Sequence, residues 1–451
     1  MVLHEGDEIV RVRALRSLAA AAIDPSSIAV GDAEAVRALG RGGRVIAVGE
    51  AAHSVTDVQT LQDAIVRALV TDDGPGSQAI AAIALESGFA ESLELDAWIG
   101  GAGADADLGA IAQRCMTYNF GASPSVQRML GWLREWNRAN PDRRVHVVGT
   151  DLPGSSTSPG PAVEVCLDRI RPHATDADLR IRADLGARTE AAVRTWRMTD
   201  SERAALVRDI DGLIRRVERD PGADAVAHRS AASLRAYLAE LDFDVLRTVD
   251  DAPEIYPRER FMAETVLWIA AQYGRTIVLA HNSHVRRTAF LGRPTMGTLL
   301  DGELAEGYRV IATSYAYGPL VRFVPRSARP FDCDVHLDQR GPVPGSIEAA
   351  IEALRPGFDD GAAHDAVLLD LREGDAPADS GAQPDAALAQ AVAGSVGILA
   401  GGDLDPVDDF PATFDALVHL HEARRVPGAF ERLRAEFGMG VPDAEAVEAV
   451  R

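Results

Sequence analysis

Short apolar runs that stop on a glycine or a carboxylate recur along this chain, separated by longer stretches with apolar residues at helical spacing. Val45 to Val48 is short and β-branched, as a buried strand is. It breaks at Gly49, and Glu50, His53 and Asp57 follow within eight residues. Val58 to Val70 then reads as a helix. Ala79 to Leu85 is a second run, Ala-rich enough to leave helix open, and it ends on Glu86-Ser87-Gly88. Arg144 to Gly149 predicts a third strand ending at Thr150-Asp151, and Thr276 to Ala280 a fourth ending at His281-Asn282-Ser283-His284. Tyr308 to Tyr315 predicts a fifth.

Helical spacing fills the intervals. Residues 1–43 read as one or two helices, and Met129, Leu130, Leu133 and Trp136 mark a helix from Val126 to Asn140. The Gly/Ser/Pro-rich stretch 153–162 reads as a loop. From about 161 to 256 the strand signal disappears. Leu206, Ile210, Leu213, Ile214 and Val217 mark one amphipathic helix, with Thr199 and Glu202 as its capping box. Leu234, Leu238, Leu241, Val245 and Leu246 mark another. A helix from Arg260 to Tyr273 leads into the fourth strand, and a short one near Leu299 to Ala305 into the fifth. A helix at Ser346 to Leu354, strands near Ala366 to Leu371 and Ala416 to His419, and a flexible acidic stretch from Glu373 to Asp385 complete the chain. The pattern is α/β, with a discontinuous core of residues 1–160 and 257–451 and a helical lid, 161–256, inserted between strands.

Composition narrows the chemistry. The net charge of −22 disfavours nucleic acid and anionic membranes, which need a basic footprint. All 46 basic side chains other than His are Arg, so Schiff-base and lysine-nucleophile mechanisms are excluded. Cys115, Cys166 and Cys333 are too widely spaced for a zinc knuckle or a disulfide framework, and a reducing cytoplasm is the expected compartment. Leu18 to Ile23 is too short for a signal peptide, and no run reaches the ~18–20 apolar residues of a membrane span.

Four strands thus finish on polar groups: Glu50 with His53, Glu86, Asp151, and His281 with His284. Taken singly, an imidazole there is most often a structural hydrogen-bonded group, and a carboxylate such as Asp57 or Asp151 a helix cap. Parallel strands would bring all four ends onto one rim, where ligands of open α/β sheets bind, and two imidazoles with two carboxylates form a general-base set. There is no G-x-S-x-G elbow, no H-E-x-x-H and no P-loop. Gly100-Gly101-Ala102-Gly103 follows no strand, so no dinucleotide site is expected. The His281/His284 spacing can hold a metal, with Glu50, Glu86 or Asp151 completing the shell, which keeps a metal-dependent hydrolase open. His419 and His421 alternate on a strand and read as structural.

The ordered set Gly49-Glu50-x-x-His53, Leu85-Glu86-Ser87, Trp132-Leu133-Arg134-Glu135-Trp136-Asn137, Gly149-Thr150-Asp151, Ala280-His281-Asn282-Ser283-His284-Val285, Met296-Gly297-Thr298-Leu299-Leu300 and Thr413-Phe414-Asp415-Ala416-Leu417 resembles the erythromycin esterase family over residues 25–430. The resemblance implies a three-layer αβα core with a mostly parallel sheet and a helical insertion. It also implies hydrolysis of a macrolide lactone by a histidine that activates water, without a required metal or other cofactor. By that resemblance His53 is the base, and Glu50, Glu86 and His284 complete the catalytic set. Asp57, Gln62, Asp151, His281 and Asn282 would meet a polyketide or other natural-product-like small molecule. Three positions depart from the family: Ser54 stands where Gly is usual, Asp57 where Glu is more common, and Gln62 where an Arg is expected. Elimination, dehydration or cyclisation by the same His/Glu set remains open, as does a non-catalytic small-molecule binder.

Overall fold

The computed structural model describes residues 11–14, 30–74, 77–117, 119–186, 188–242, 253–327, 331–354, 366–372, 383–384, 386–400 and 403–438. Its main sheet has ten strands: β1 (Arg11–Ala14), β2 (Val45–Glu50), β3 (Ala82–Gly88), β4 (His146–Asp151), β5 (Thr276–His281), β6 (Tyr308–Pro325), β7 (Cys333–Arg340), β8 (Ala366–Asp370), β9 (Gln383–Pro384) and a last strand, Ala416–Glu422. Between these two, β10 (Gly397–Ala400) and β11 (Asp403–Pro406) form a separate hairpin, so the last strand is β12. The order is β4-β3-β5-β2-β6-β12-β8-β1-β9, parallel from β4 to β12, with β7 paired antiparallel to β6.

The central strands are buried on both faces, as their continuous apolar runs require. Ile46 and Val48 pack on one side of β2, and Val45 and Ala47 on the other. The first face is covered by α1 (Val30–Gly40), α2 (Thr56–Val70), α3 (Phe89–Ile99), α4 (Leu108–Cys115) and α5 (Pro124–Ala139), through residues such as Leu61, Ile65, Leu130 and Leu133. Next come α6 (Gly160–Leu167), α7 (Asp176–Ala183), α8 (Arg188–Arg197), α9 (Asp200–Arg219) and α10 (Ala225–Asp242). These helices build a third apolar cluster around Cys166, Ile210, Leu213, Leu234 and Tyr237. The Thr199–Glu202 capping box forms, with Thr199 N donating to Glu202 Oε2 at 2.8 Å. The second face of the sheet is covered by α11 (Pro257–Gln272), α13 (Met296–Leu304), α14 (Ile347–Leu354) and α15 (Ala386–Ala393). One-turn helices α12 (Asn282–Val285) and α16 (Phe410–Thr413) and the final α17 (Ala429–Gly438) complete the chain. The result is an α/β fold of three layers. No described helix is long and apolar enough to cross a membrane.

Several expectations need correction. Helix does not fill residues 1–43: Arg11–Ala14 is a strand paired antiparallel to β8, and its Arg-Val-Arg-Ala alternation has the strand period of two. Residues 153–162 are not all loop, because α6 begins at Gly160 with Pro161 in its first turn, where a missing N–H costs nothing. The fifth strand does not stop at Tyr315. It runs ten residues further and pairs with β7, a continuation that the sequence reading missed because Gly318, Pro319 and Arg322 break up the apolar residues of this largely exposed arm. Leu18 to Ile23, Val245, Leu246 and most of Glu373 to Asp385 lie outside the described residues.

Candidate active site

Neighbouring strands β4, β3, β5 and β2 run parallel, so Asp151, Glu86, His281 and Glu50 finish on one rim. The turn after β2 is tied from beneath. Thr313 on β6 donates from Oγ1 to Gly49 O at 2.8 Å and accepts from Ala51 N at 3.1 Å. Asn282 donates from Nδ2 to Thr313 O at 2.7 Å. A Cβ at Gly49 would collide with Asn282 Oδ1, which is why glycine stands there. Ser54 takes φ +61°, a left-handed conformation, and its carbonyl accepts from Val426 N at 2.9 Å.

This turn places His53 Nδ1 3.0 Å from Glu50 Oε2. The Glu50 carboxylate is 3% exposed, and the His53 ring stands edge-on to Phe120 and His281, with centroids 5.2 and 5.4 Å away. Burial favours a neutral imidazole, but the Glu50 carboxylate outweighs it, and the His53 pKa ends above its ordinary value. Burial raises the Glu50 carboxyl as well, with His53 pulling against it.

Beside this pair sits a denser network. Arg258, in the first turn of α11, binds both Asp151 oxygens at 2.8 Å and Glu86 Oε1 at 3.0 Å. Glu86 Oε1 is also 3.3 Å from His284 Nε2, and Glu86 Oε2 accepts from His281 N at 2.8 Å. The other His284 nitrogen lies 2.6 Å from Glu259 Oε1. Burial alone would neutralise His284, yet Glu259 and Glu86 push its pKa up to about 10. Burial opposes ionisation of Glu86 too, but His284, His53 and Arg258 hold it well below the usual carboxylate range. His281 goes the other way. Burial, with the neighbouring His53 charge, drives it down to about 3, and its Nδ1 contacts Ser283 Oγ at 2.8 Å. Three imidazoles on one rim are thus pushed apart: His284 strongly toward the cation, His281 strongly toward the neutral ring, and His53 upward from its ordinary value. Environments that separate pKa values in this way mark out acid and base roles.

A cavity of ≈ 400 Å³ opens onto this rim, bordered by His53, Glu86, Arg258, His281 and His284. Tyr315 and the Pro319–Phe323 segment of β6 form one wall, and Leu433 and Phe437 of α17 another. A larger cavity, ≈ 990 Å³, touches Arg432, Ala435 and Glu436 of the same helix, and Arg188 borders both. Arg188 pairs with Glu436 at 3.1 Å. Beneath the rim a small pocket of ≈ 40 Å³ is lined by Glu50, Gln59, Gln62 and Glu86 among apolar groups.

Not every expected residue faces the rim cavity. Gln62 is buried below it, donating to Val48 O at 3.3 Å. Asn282 spends its amide on Thr313 and belongs to the scaffold. Asp57 pairs with Arg424 at the start of α2, Nε to Oδ2 at 3.2 Å, pinning the segment after β12. Asp151 joins the network through Arg258. His281 and His284 do not converge as a metal-binding pair, because each ring is held by a separate protein group. Among the described residues no three His, Cys, Asp or Glu side chains are arranged to hold a metal. Arg258, Glu259 and Arg425 border or support the site without having been singled out in the sequence. The only hint was position: Pro257-Arg258-Glu259 opens the helix that leads into β5.

A family model described as erythromycin esterase matches residues 80–423, a span that begins after the His53 turn. The erythromycin esterase type II of Escherichia coli is 24% identical over 340 residues, 68% of this chain and 78% of that protein. A mutant of the erythromycin esterase EreC in its open conformation superposes with a TM-score of 0.67 at 18% identity, covering 91% of this chain and 98% of that one. A succinoglycan biosynthesis protein gives the same TM-score, 0.67, at 15% identity, covering 92% and 95% of the two chains. At these identities the solved structures speak to the fold.

Proposed function

The chain belongs to the erythromycin esterase family, and on that premise we propose that it hydrolyses an ester or lactone in a macrolide or other polyketide-like small molecule, with His53 as the general base. The observation that carries this reading is the 3.0 Å contact between His53 Nδ1 and Glu50 Oε2 at the edge of the ≈ 400 Å³ cavity. Glu50 accepts from Nδ1–H, which puts the ring's lone pair on Nε2 and steadies the imidazolium that forms, as the carboxylate of a triad does. Water is a poor nucleophile until a proton is withdrawn as it attacks, and a positioned base contributes about 10²–10⁴-fold. The imidazolium then returns the proton to the departing alkoxide. His284, held cationic between Glu259 and Glu86, acts as a fixed charge and hydrogen-bond donor, not as a second base.

The test is direct. The purified protein is incubated with erythromycin and a panel of simpler esters and lactones, and products are read by mass spectrometry. Hydrolysis adds one water to the substrate mass, whereas elimination or dehydration removes small molecules. His53→Ala should lower kcat by about 10²–10⁴-fold with the fold intact by circular dichroism. Full activity in that variant, or no water addition to any ester, sinks the reading.

A further inference from the structure

Arg425 lines the cavity beside the acid/base residues but comes from the segment after β12. It follows β12, and an antiparallel bridge sets its backbone opposite Val55, two residues past His53. The next residue, Val426, donates from N to Ser54 O at 2.9 Å. This double tie brings Arg425 against the turn that carries His53, and Arg425 lines the same ≈ 400 Å³ cavity.

Other cations bordering that cavity are already balanced. Arg188 is held by Glu436, Arg258 by Asp151 and Glu86, and His284 by Glu259 and Glu86. Arg425 makes no ion pair or hydrogen bond among the described residues, and its Nε is buried with no acceptor. It feels Glu50 and Tyr315 only at longer range. Arg425 is half-buried; a buried N–H without an acceptor is costly, whereas a donor facing a place where negative charge develops is worth most in such surroundings. Paired cations do this less well, because their carboxylates cancel much of the field they project into the cavity.

We infer that Arg425 is the oxyanion-stabilising residue of this site, donating to the ester carbonyl oxygen as water adds. The inference rests on the hydrolase reading above. When water attacks, the new C–O bond forms at the carbonyl carbon, the π pair moves onto the carbonyl oxygen, and His53 takes the water's proton. Arg425 neutralises the resulting oxyanion. As the tetrahedral adduct collapses, that pair returns, the alkoxide leaves, and the proton on His53 goes to it.

The experiment compares wild type, Arg425→Gln and Arg425→Lys. The backbone bridge to Val55 does not need the side chain, and circular dichroism checks that each variant folds. Expected is a kcat loss of about 10²–10³-fold in Arg425→Gln, a KM change below about threefold and partial recovery in Arg425→Lys. Unchanged kcat, or a loss confined to KM, overturns the assignment. A second measurement needs neither turnover nor a folded Gln variant. Methylphosphonate, a small tetrahedral anion, is titrated calorimetrically into wild type and Arg425→Lys, and into Arg425→Gln where it folds. Binding to wild type that weakens at least tenfold in Arg425→Gln, or measurably in Arg425→Lys, supports the anion site. No binding to wild type, or equal binding by all, removes it. A wild type that binds the anion yet hydrolyses no ester would refute the hydrolase reading and leave Arg425 as an anion-binding residue.

Discussion

Arg258 grips Asp151 through two parallel bonds of 2.8 Å, Nε to Oδ1 and Nη2 to Oδ2, joining the start of α11 to the end of β4. The fork geometry suits a guanidinium and would not suit an ammonium. Asp151 is wholly buried, and the same guanidinium also supports Glu86.

Removing that guanidinium takes the forked partner from buried Asp151 and leaves Glu86 to His284. Arg258→Ala is expected to destabilise the fold by about 3–5 kcal/mol, as breaking a buried pair does. Urea unfolding of wild type and variant measures it, and a loss below about 1 kcal/mol would mean that solvent or a neighbour replaces the cation.

The base must be neutral to work, and the His53 pKa lies above 6.5 because of Glu50. Thus kcat/KM should rise with pH along a limb above that value. In Glu50→Gln burial is left to dominate, so the limb moves to lower pH while kcat falls. A pH–rate profile that does not shift between the two proteins rules out the coupling.

His284 gives a stability signature of opposite reach. Its folded pKa, about 10, exceeds the unfolded value of about 6.5. Its contribution is therefore complete below pH ~6.5 and is lost as pH rises through about 10. Unfolding free energies measured across that window should decline for wild type and more weakly for His284→Gln. Equal slopes would place the imidazolium elsewhere.

Ser54 holds a left-handed φ of +61° that a side chain disfavours. Ser54→Gly relieves this but loosens the unfolded chain, for an expected net gain of about 0.5–1 kcal/mol. Thermal unfolding should show a higher Tm with the activity retained, and a lower Tm would show that the Ser54 side chain stabilises the turn by more than the strain it imposes.

Gln62 borders the ≈ 40 Å³ pocket between Glu50 and Glu86 and supplies no charge there. In Gln62→Arg a guanidinium beside Glu50 should weaken the pull of that carboxylate on His53. The activity limb should then move to lower pH, and an unmoved limb would mean the new side chain points out of the pocket.

The sheet and its rim were readable because a strand ending on Gly-Glu or Thr-Asp shows its chemistry locally. What lies across the rim was not. Arg258 stands 107 positions from Asp151 and opens an ordinary amphipathic helix. Arg425 meets the His53 turn through a bridge to Val55 that joins distant parts of the chain. The proton state of His284 depends on Glu259, whose side chain reaches it only when α11 docks beside β5. Asn282 shows the opposite error: a polar residue in a chemically rich motif is spent on bracing β6. Its side chain takes the space that a Cβ at position 49 would need.

β6 begins as a buried central strand and leaves the core near Gly318, where a Cβ would press on the Ala423 carbonyl. Beyond that glycine the strand becomes an exposed arm, and its Pro319, Leu320, Val321 and Phe323 line the cavity that His53, His281 and His284 also border. One continuous segment thus serves two masters, and the division between them is a single residue. Substitutions in the arm can therefore reshape the cavity wall without disturbing the acids and imidazoles at the strand ends, which hang on a different stretch of backbone.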